Sequence, residues 1–168
     1  MTPDDTPRSW DERTTLLTML QYTRDVAVGK VRELAAEHVG AAPLPGSPLM
    51  TLGGVVNHLR WVEHSWVENR FVGGPDLGPW TREEPDREFS LGASTPLEET
   101  LAAYADQAAR TDAIIARLDL DDVSVTPMHR TGEHPTLRWV LLHLVEENSR
   151  HNGHLDILRE LADGRTGD

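Results

Sequence analysis

Residues 136–164, TLRWVLLHLVEENSRHNGHLDILRELADG, decide how the whole chain is read. Leu137, Val140, Leu141, Leu144, Leu155, Leu158 and Ala162 recur at steps of three and four, the period of a helix with one apolar face. Thr136 is placed to cap its start and Gly164 to end it. At that spacing the stripe should pass through positions 147, 148 and 151, which hold Glu147, Asn148 and His151. A carboxylate and an imidazole therefore stand where packing would favour leucine. Burying an unpaired carboxylate costs several kcal/mol or shifts its pKa strongly, so such a helix needs a partner for it.

Glu147 and His151 are four apart, on one face, with their stems roughly 6 Å from each other. That separation suits two ligands converging on one ion. A third ligand should come from a facing helix. Leu52, Val55, Val56, Leu59, Val62 and Trp66 define the apolar face of another helical segment. At about 100° per residue, His58 lies at the edge of that face, whereas His64 falls nearly opposite, toward solvent. The candidate set is His58, Glu147 and His151. Such a trio leaves open coordination positions, as catalytic metal sites do. Zinc fits these ligand types best, and nickel, iron and manganese accept them too. Spacing alone leaves a second reading open, a buried Glu–His ion pair without metal.

Working outward, three more segments read as helices. The first runs from about Trp10 to about Val39, with Gly40 and the turn-rich AAPLPGSP (41–48) after it. The second starts at Ser47 or Thr51 and ends near Phe71, before Gly73-Gly74-Pro75. Residues 73–94 show no period and read as a long connection with at most a short helical turn. Thr95-Pro96-Leu97-Glu98 has the form of a capping box with proline at the first helical position, opening a third helix to about Leu118. A second irregular stretch, 119–135, contains the one strand-like run, VSVT (123–126). The terminal GRTGD is expected to fray. Four long helices with two long connections predict an all-α four-helix bundle, one domain over residues 1–168, with some sequence neighbours parallel.

The composition narrows the function. The chain has 168 residues, 28 acidic against 16 basic side chains and a net charge of −12. That charge disfavours nucleic acid and anionic membranes as partners. With no cysteine, disulfides, thiolate nucleophiles and Cys-based zinc sites are excluded, so any metal must be held by His and carboxylate. No basic region followed by an apolar run opens the sequence, and no stretch approaches the roughly 20 apolar residues that span a bilayer, so a cytoplasmic location is expected.

The remaining candidates carry weaker signals. His143 lies one turn before Glu147, but one ion cannot span 143, 147 and 151, which extend over about 12 Å of helix. It could replace His151 as a ligand, but reads rather as a packed histidine or one that supports a ligand. His154 shares its side and is placed to orient a ligand or touch substrate. His38, His129 and His134 fall in or near connections and read as solvated. Arg24 interrupts the first helix's apolar pattern and Trp61 flanks His58; each is a candidate pocket residue, with a snorkelling Arg and a packing Trp as the plainer expectation.

Three stretches carry a family resemblance: GGVVNHLRWVEHSW (53–66), LRWVLLHLVEENSRHNGHLDILRE (137–160) and, more weakly, the first helix. They resemble the DinB-like metal-binding four-helix-bundle proteins, in the branch common in actinobacteria. Members typically carry a His-x-x-x-His pair on the last helix followed by a Gly-containing step. His151-Asn152-Gly153 matches the second histidine and its glycine, and Glu147 stands in place of the first. That departure is shared with the metal domain of mycothiol-dependent maleylpyruvate isomerases, which use a His, Glu, His set. The resemblance implies a bound metal, the ligands His58, Glu147 and His151, and an up-down-down-up topology. It also implies a small-molecule substrate or thiol, since several relatives are S-transferases or isomerases using mycothiol or bacillithiol. The isomerases carry a further C-terminal domain without counterpart in these residues, so the expected activity is thiol S-transfer.

Two other functions use the same ligands: hydrolysis of a small substrate by metal-activated water, and a non-enzymatic metal-binding bundle for stress response or sensing. An apolar face left over after helix packing would favour the latter and point to a homodimer.

Overall fold

The computed structural model describes residues 3–166, and among these every regular element is helical. The outermost residues of the expected 1–168 domain, and the last two of the GRTGD tail, lie outside the described residues. The elements are α1 (Glu12–Val31), α2 (Ala36–Val39), α3 (Leu52–Glu63), α4 (Arg87–Ser94), α5 (Leu97–Ile115) and α6 (Leu137–Asp163). A π-helical segment, His64–Phe71, continues α3 without a break. VSVT forms no strand; a single β-bridge joins Val123 to Thr136, and the amides of Val125 and Thr126 bond the carbonyls of Phe71 and Arg70.

The caps explain several boundaries. The Asp11 carboxylate accepts from Thr14 N at the start of α1, Thr51 from Gly54 N at α3, and Thr136 from Trp139 N at α6. Thr51, not Ser47, therefore starts the second long helix. Gly164 ends α6 at φ 77°, a left-handed cap that glycine adopts without a Cβ clash.

The first helix does not continue to Val39. It stops at Val31; Arg32 turns extended and Glu33 sits at φ 58°. The buried Arg159 of α6 explains the early stop, because its guanidinium donates to the carbonyls of Lys30 and Arg32, both at 2.9 Å, and so takes up acceptors that a helix end leaves free. The proposed capping box also fails. Thr95 Oγ1 donates back to Leu91 O at 2.7 Å because α4 runs into α5 across this point, and α5 begins without a side-chain cap. The connection expected at 73–94 ends in α4, a full eight-residue helix.

Helix α6 packs along α1 and α3, and α3 packs in turn on α4 and α5. Leu16, Leu20, Phe71, Ile115, Leu137 and Leu141 form one apolar cluster, and Ala27, Leu52, Val55, Leu59, Leu155 and Leu158 the other. Between them lies a buried polar layer. Tyr104 donates to Asn148 Oδ1 at 2.9 Å, Asn148 Nδ2 to Leu144 O at 2.8 Å and Asn152 Nδ2 to Thr23 O at 3.0 Å.

Arg24 belongs to this layer and does not snorkel. It is 3 % exposed, and its Nε and Nη2 donate to the two oxygens of fully buried Glu63, each at 2.7 Å. A guanidinium and a carboxylate buried together satisfy each other's charge, which neither can do alone. Arg24 also lines a cleft of about 340 Å³ between α1 and α5, with Leu17, Gln21, Asp112 and Ala116, apart from the His58 set.

His64 likewise departs from expectation. It is 2 % exposed, because the connection after Phe71 folds back over it. The amide of Leu77 donates to its Nε2 at 3.1 Å.

Candidate metal centre

Helices α3 and α6 bring His58, Glu147 and His151 together, with one donor atom from each within 4.8 Å of the others. His151 Nε2 lies 3.6 Å from Glu147 Oε2, and the two imidazole rings are 4.8 Å apart. Tetrahedral zinc at bond lengths of about 2.0–2.2 Å needs its donors about 3.3 Å apart. The closer pair nearly meets that spacing. All three side chains keep 10–20 % of their surface exposed, so small rotations close the rest and a ligand can reach the site.

Each of the three is also held from outside. His58 Nδ1 lies 3.3 Å from Glu88 Oε1, and its ring stacks on Phe89 at 4.4 Å and 16°. His151 Nδ1 lies 3.3 Å from His154 Nδ1, which leaves Nε2 toward Glu147. Glu147 Oε1 accepts from Arg150 Nη1 at 3.2 Å, so Oε2 is the oxygen that faces His151. The free donor atoms thus converge while their counterparts are engaged elsewhere, the arrangement that orients metal ligands.

Electrostatics favours the ligating protonation state. Burial lowers the His58 pKa below the usual imidazole value, with Glu88 and Glu147 opposing it. Burial, aided by the neighbouring His58, His154 and Arg150, lowers that of His151 to about 4. Both are neutral near pH 7, with a lone pair available.

His143 stands beside the trio. Its ring stacks on Trp139 at 5.0 Å, meets the edge of Trp66 at 4.6 Å, and places Nε2 4.0 Å from Glu147 Oε1. His143, Glu146 and Glu147 also place donor atoms within 4.8 Å. Arg150 already pairs with both of those carboxylates and supplies the positive charge an ion would bring. Trp61 packs away from the trio, edge-on to His64 and Trp80, with Arg60 4.4 Å above its ring. His129 and His134 are exposed and His38 half-buried.

Sequence reasoning missed Glu88, Phe89 and Arg150. The first two lie in the stretch read as irregular, where two turns of helix carry too few apolar residues to show a period. A lone buried-edge glutamate gives no signal until its neighbour on α3 is known.

The family model for mycothiol-S-transferase matches residues 15–164 of the chain. None of the curated proteins compared with the chain matches it.

Proposed function

The chain belongs to the mycothiol-S-transferase family, and from that premise we propose that it transfers a low-molecular-weight thiol of the mycothiol type to an electrophile, using a divalent ion held by His58, Glu147 and His151. Zinc is the preferred ion for two imidazoles and one carboxylate. The convergence of these three donors in a protein without cysteine carries the reading, because both metal and thiol must then come from outside the chain. A metal bound there would stabilise the thiolate of the small molecule and so raise its nucleophilicity near pH 7. The protein's part is to hold Nε2 of both histidines neutral and aimed inward. Arg150 fixes Glu147 so that one oxygen faces the site. His143, 4.0 Å from Glu147 and packed against Trp66 and Trp139, is placed to take the thiol proton.

The same proposal takes the chain as one domain with α1, α3, α5 and α6 as an up-down-down-up four-helix bundle. Supporting this, Arg138 pairs with Glu12 near the starts of α6 and α1, while Arg159 bonds Lys30 O near their ends. The C-terminal Phe71 and Ile115 share one apolar cluster, and Leu52 shares the other with Leu97.

The test uses untagged, zinc-loaded protein with mycothiol and a chromogenic electrophile. Thiol-dependent turnover is expected, and Glu147→Ala and His151→Ala should abolish it. No thiol-dependent rate above background in fully loaded protein would sink the proposal, and metal uptake without turnover would favour a non-enzymatic binding module.

A further inference from the structure

Glu88 is an expensive residue where it stands. Its side chain is 8 % exposed, and its Oε2 is buried without a hydrogen-bond partner. A buried carboxylate oxygen left unsatisfied costs free energy that an apolar side chain at the same place would not. The usual structural reasons for such a glutamate do not apply. It does not cap α4, whose N-terminus has no side-chain cap bond, and among the described residues its one ionic partner is His58, with no Lys or Arg paired to it. The N-terminus of α4 stabilises its charge in part, but leaves the second oxygen without a donor.

The helix that carries it is docked unusually closely. A Cβ on Gly53 would lie 2.4 Å from Gly92 O, and one on Gly92 would lie 2.4 Å from Gly53 O, so the backbones of α3 and α4 touch through paired glycines. Gly54 makes a similar approach to Phe89 O, where a Cβ would come within 2.9 Å. Asn57 Nδ2 donates to the carbonyl of Glu88 itself at 2.6 Å. Backbone contacts of this kind fix α4 against α3 with little freedom, directly over the turn that bears His58. The imidazole is then held on its edge by Glu88 and on its face by Phe89.

We infer that Glu88 is a positioning residue for His58, holding it as the Nδ1–H tautomer so that Nε2 is the nitrogen turned toward Glu147 and His151, and that the glycine contact of α4 with α3 exists to place that carboxylate. Histidine ligands commonly donate their outer N–H to a carboxylate in this way, which fixes ring orientation and strengthens the donor. The inference rests on the ligand set proposed above, but the tautomer itself is a property of the metal-free protein and can be read there.

The experiment is two-part, on the full chain. Long-range ¹H–¹⁵N correlations of the histidine rings in metal-free protein near pH 7.5, assigned with His58→Gln, report which nitrogen carries the proton. His58 should be protonated on Nδ1 in wild type, should lose that preference in Glu88→Ala, and should keep it in Glu88→Gln, whose amide oxygen still accepts. Zinc affinity by chelator competition should fall about 10–100-fold in Glu88→Ala and less in Glu88→Gln. Gly92→Ala, which lifts α4 while keeping every ligand and Glu88, should also weaken zinc binding. Protonation of His58 on Nε2 in wild type, or a tautomer and affinity unmoved by Glu88→Ala, overturns the inference. Failure of wild type to bind zinc at all overturns the ligand set instead, whatever the tautomer. Should Glu88→Ala misfold, the isosteric Glu88→Gln decides through the size of its affinity loss, and no loss together with an unaltered Gly92→Ala counts against the inference.

Discussion

Replacing Arg24 by methionine tests the polar layer directly. Arg24 donates through Nε and Nη2 to both oxygens of Glu63 at 2.7 Å, and through Nη1 to Asp112 at 2.8 Å. Burial opposes its charge, yet Glu63 and Asp112 more than offset this and hold its pKa above the usual arginine value. The two partners differ in environment. Glu63 is fully buried, whereas the Asp112 side chain is 52 % exposed. Arg24→Met therefore strands the Glu63 charge in the interior, at about 3–5 kcal/mol. Asp112→Asn disturbs a solvated pair and should cost only about 0.2–1 kcal/mol. For a chain of this size the first change lowers the Tm by about 6–20 °C. The double variant Arg24→Met/Glu63→Leu removes both buried charges and should be more stable than Arg24→Met alone. Urea unfolding of the metal-free proteins, followed by far-UV circular dichroism, measures wild type, Arg24→Met, Glu63→Leu and the double variant, which complete the cycle, with Asp112→Asn beside them. A loss below about 1 kcal/mol for Arg24→Met, or strictly additive losses in the double variant, would refute the burial argument.

Three further outcomes follow from single contacts. Tyr104→Phe removes the donor to buried Asn148 Oδ1 and should cost about 1–2 kcal/mol in thermal melts. Gly164→Ala places a Cβ at φ 77° and should destabilise the end of α6 by about 1 kcal/mol, seen by calorimetry. The Thr14 backbone and side-chain bonds lower the Asp11 carboxyl from 3.8 to about 2. The unfolded chain therefore binds the extra proton first, and this cap stabilises above pH 3.8 and fades as pH falls toward 2. The Tm gap between wild type and Asp11→Ala should narrow over that window, and a gap independent of pH would remove the assignment.

The all-helical character, the cap at Thr136 and the stop at Gly164 were legible because each is written within one helix and its flanks, whereas the start of α3 stayed open between Ser47 and Thr51. Legible too was the interruption at positions 147, 148 and 151, and the structure does bring Glu147 and His151 together with His58. What stayed hidden depends on a second element. Periodicity placed Arg24 within the apolar pattern of α1, but the expectation that it snorkels weighs α1 by itself, without Glu63 across the core. Periodicity gave His64 to solvent because it weighs that helix by itself, without the connection after Phe71 that brings the Leu77 amide onto its imidazole. The end of α1 at Val31 is set by Arg159, 128 positions later, and α4 by glycines that meet only after α3 has formed.

The division of the core into two leucine-rich clusters has a consequence for alignment. Apolar surfaces of similar composition fit one another nearly as well after a slide of one helical turn, about 5.4 Å. The polar layer tolerates no such slide of α6: it would part Tyr104 from Asn148 and Asn152 from Thr23, while the Arg24–Glu63 pair fixes α1 against α3 in the same way. Those pairs act as an index pin that admits one longitudinal setting of α6, and the setting they admit is the one that lays Glu147 and His151 opposite His58.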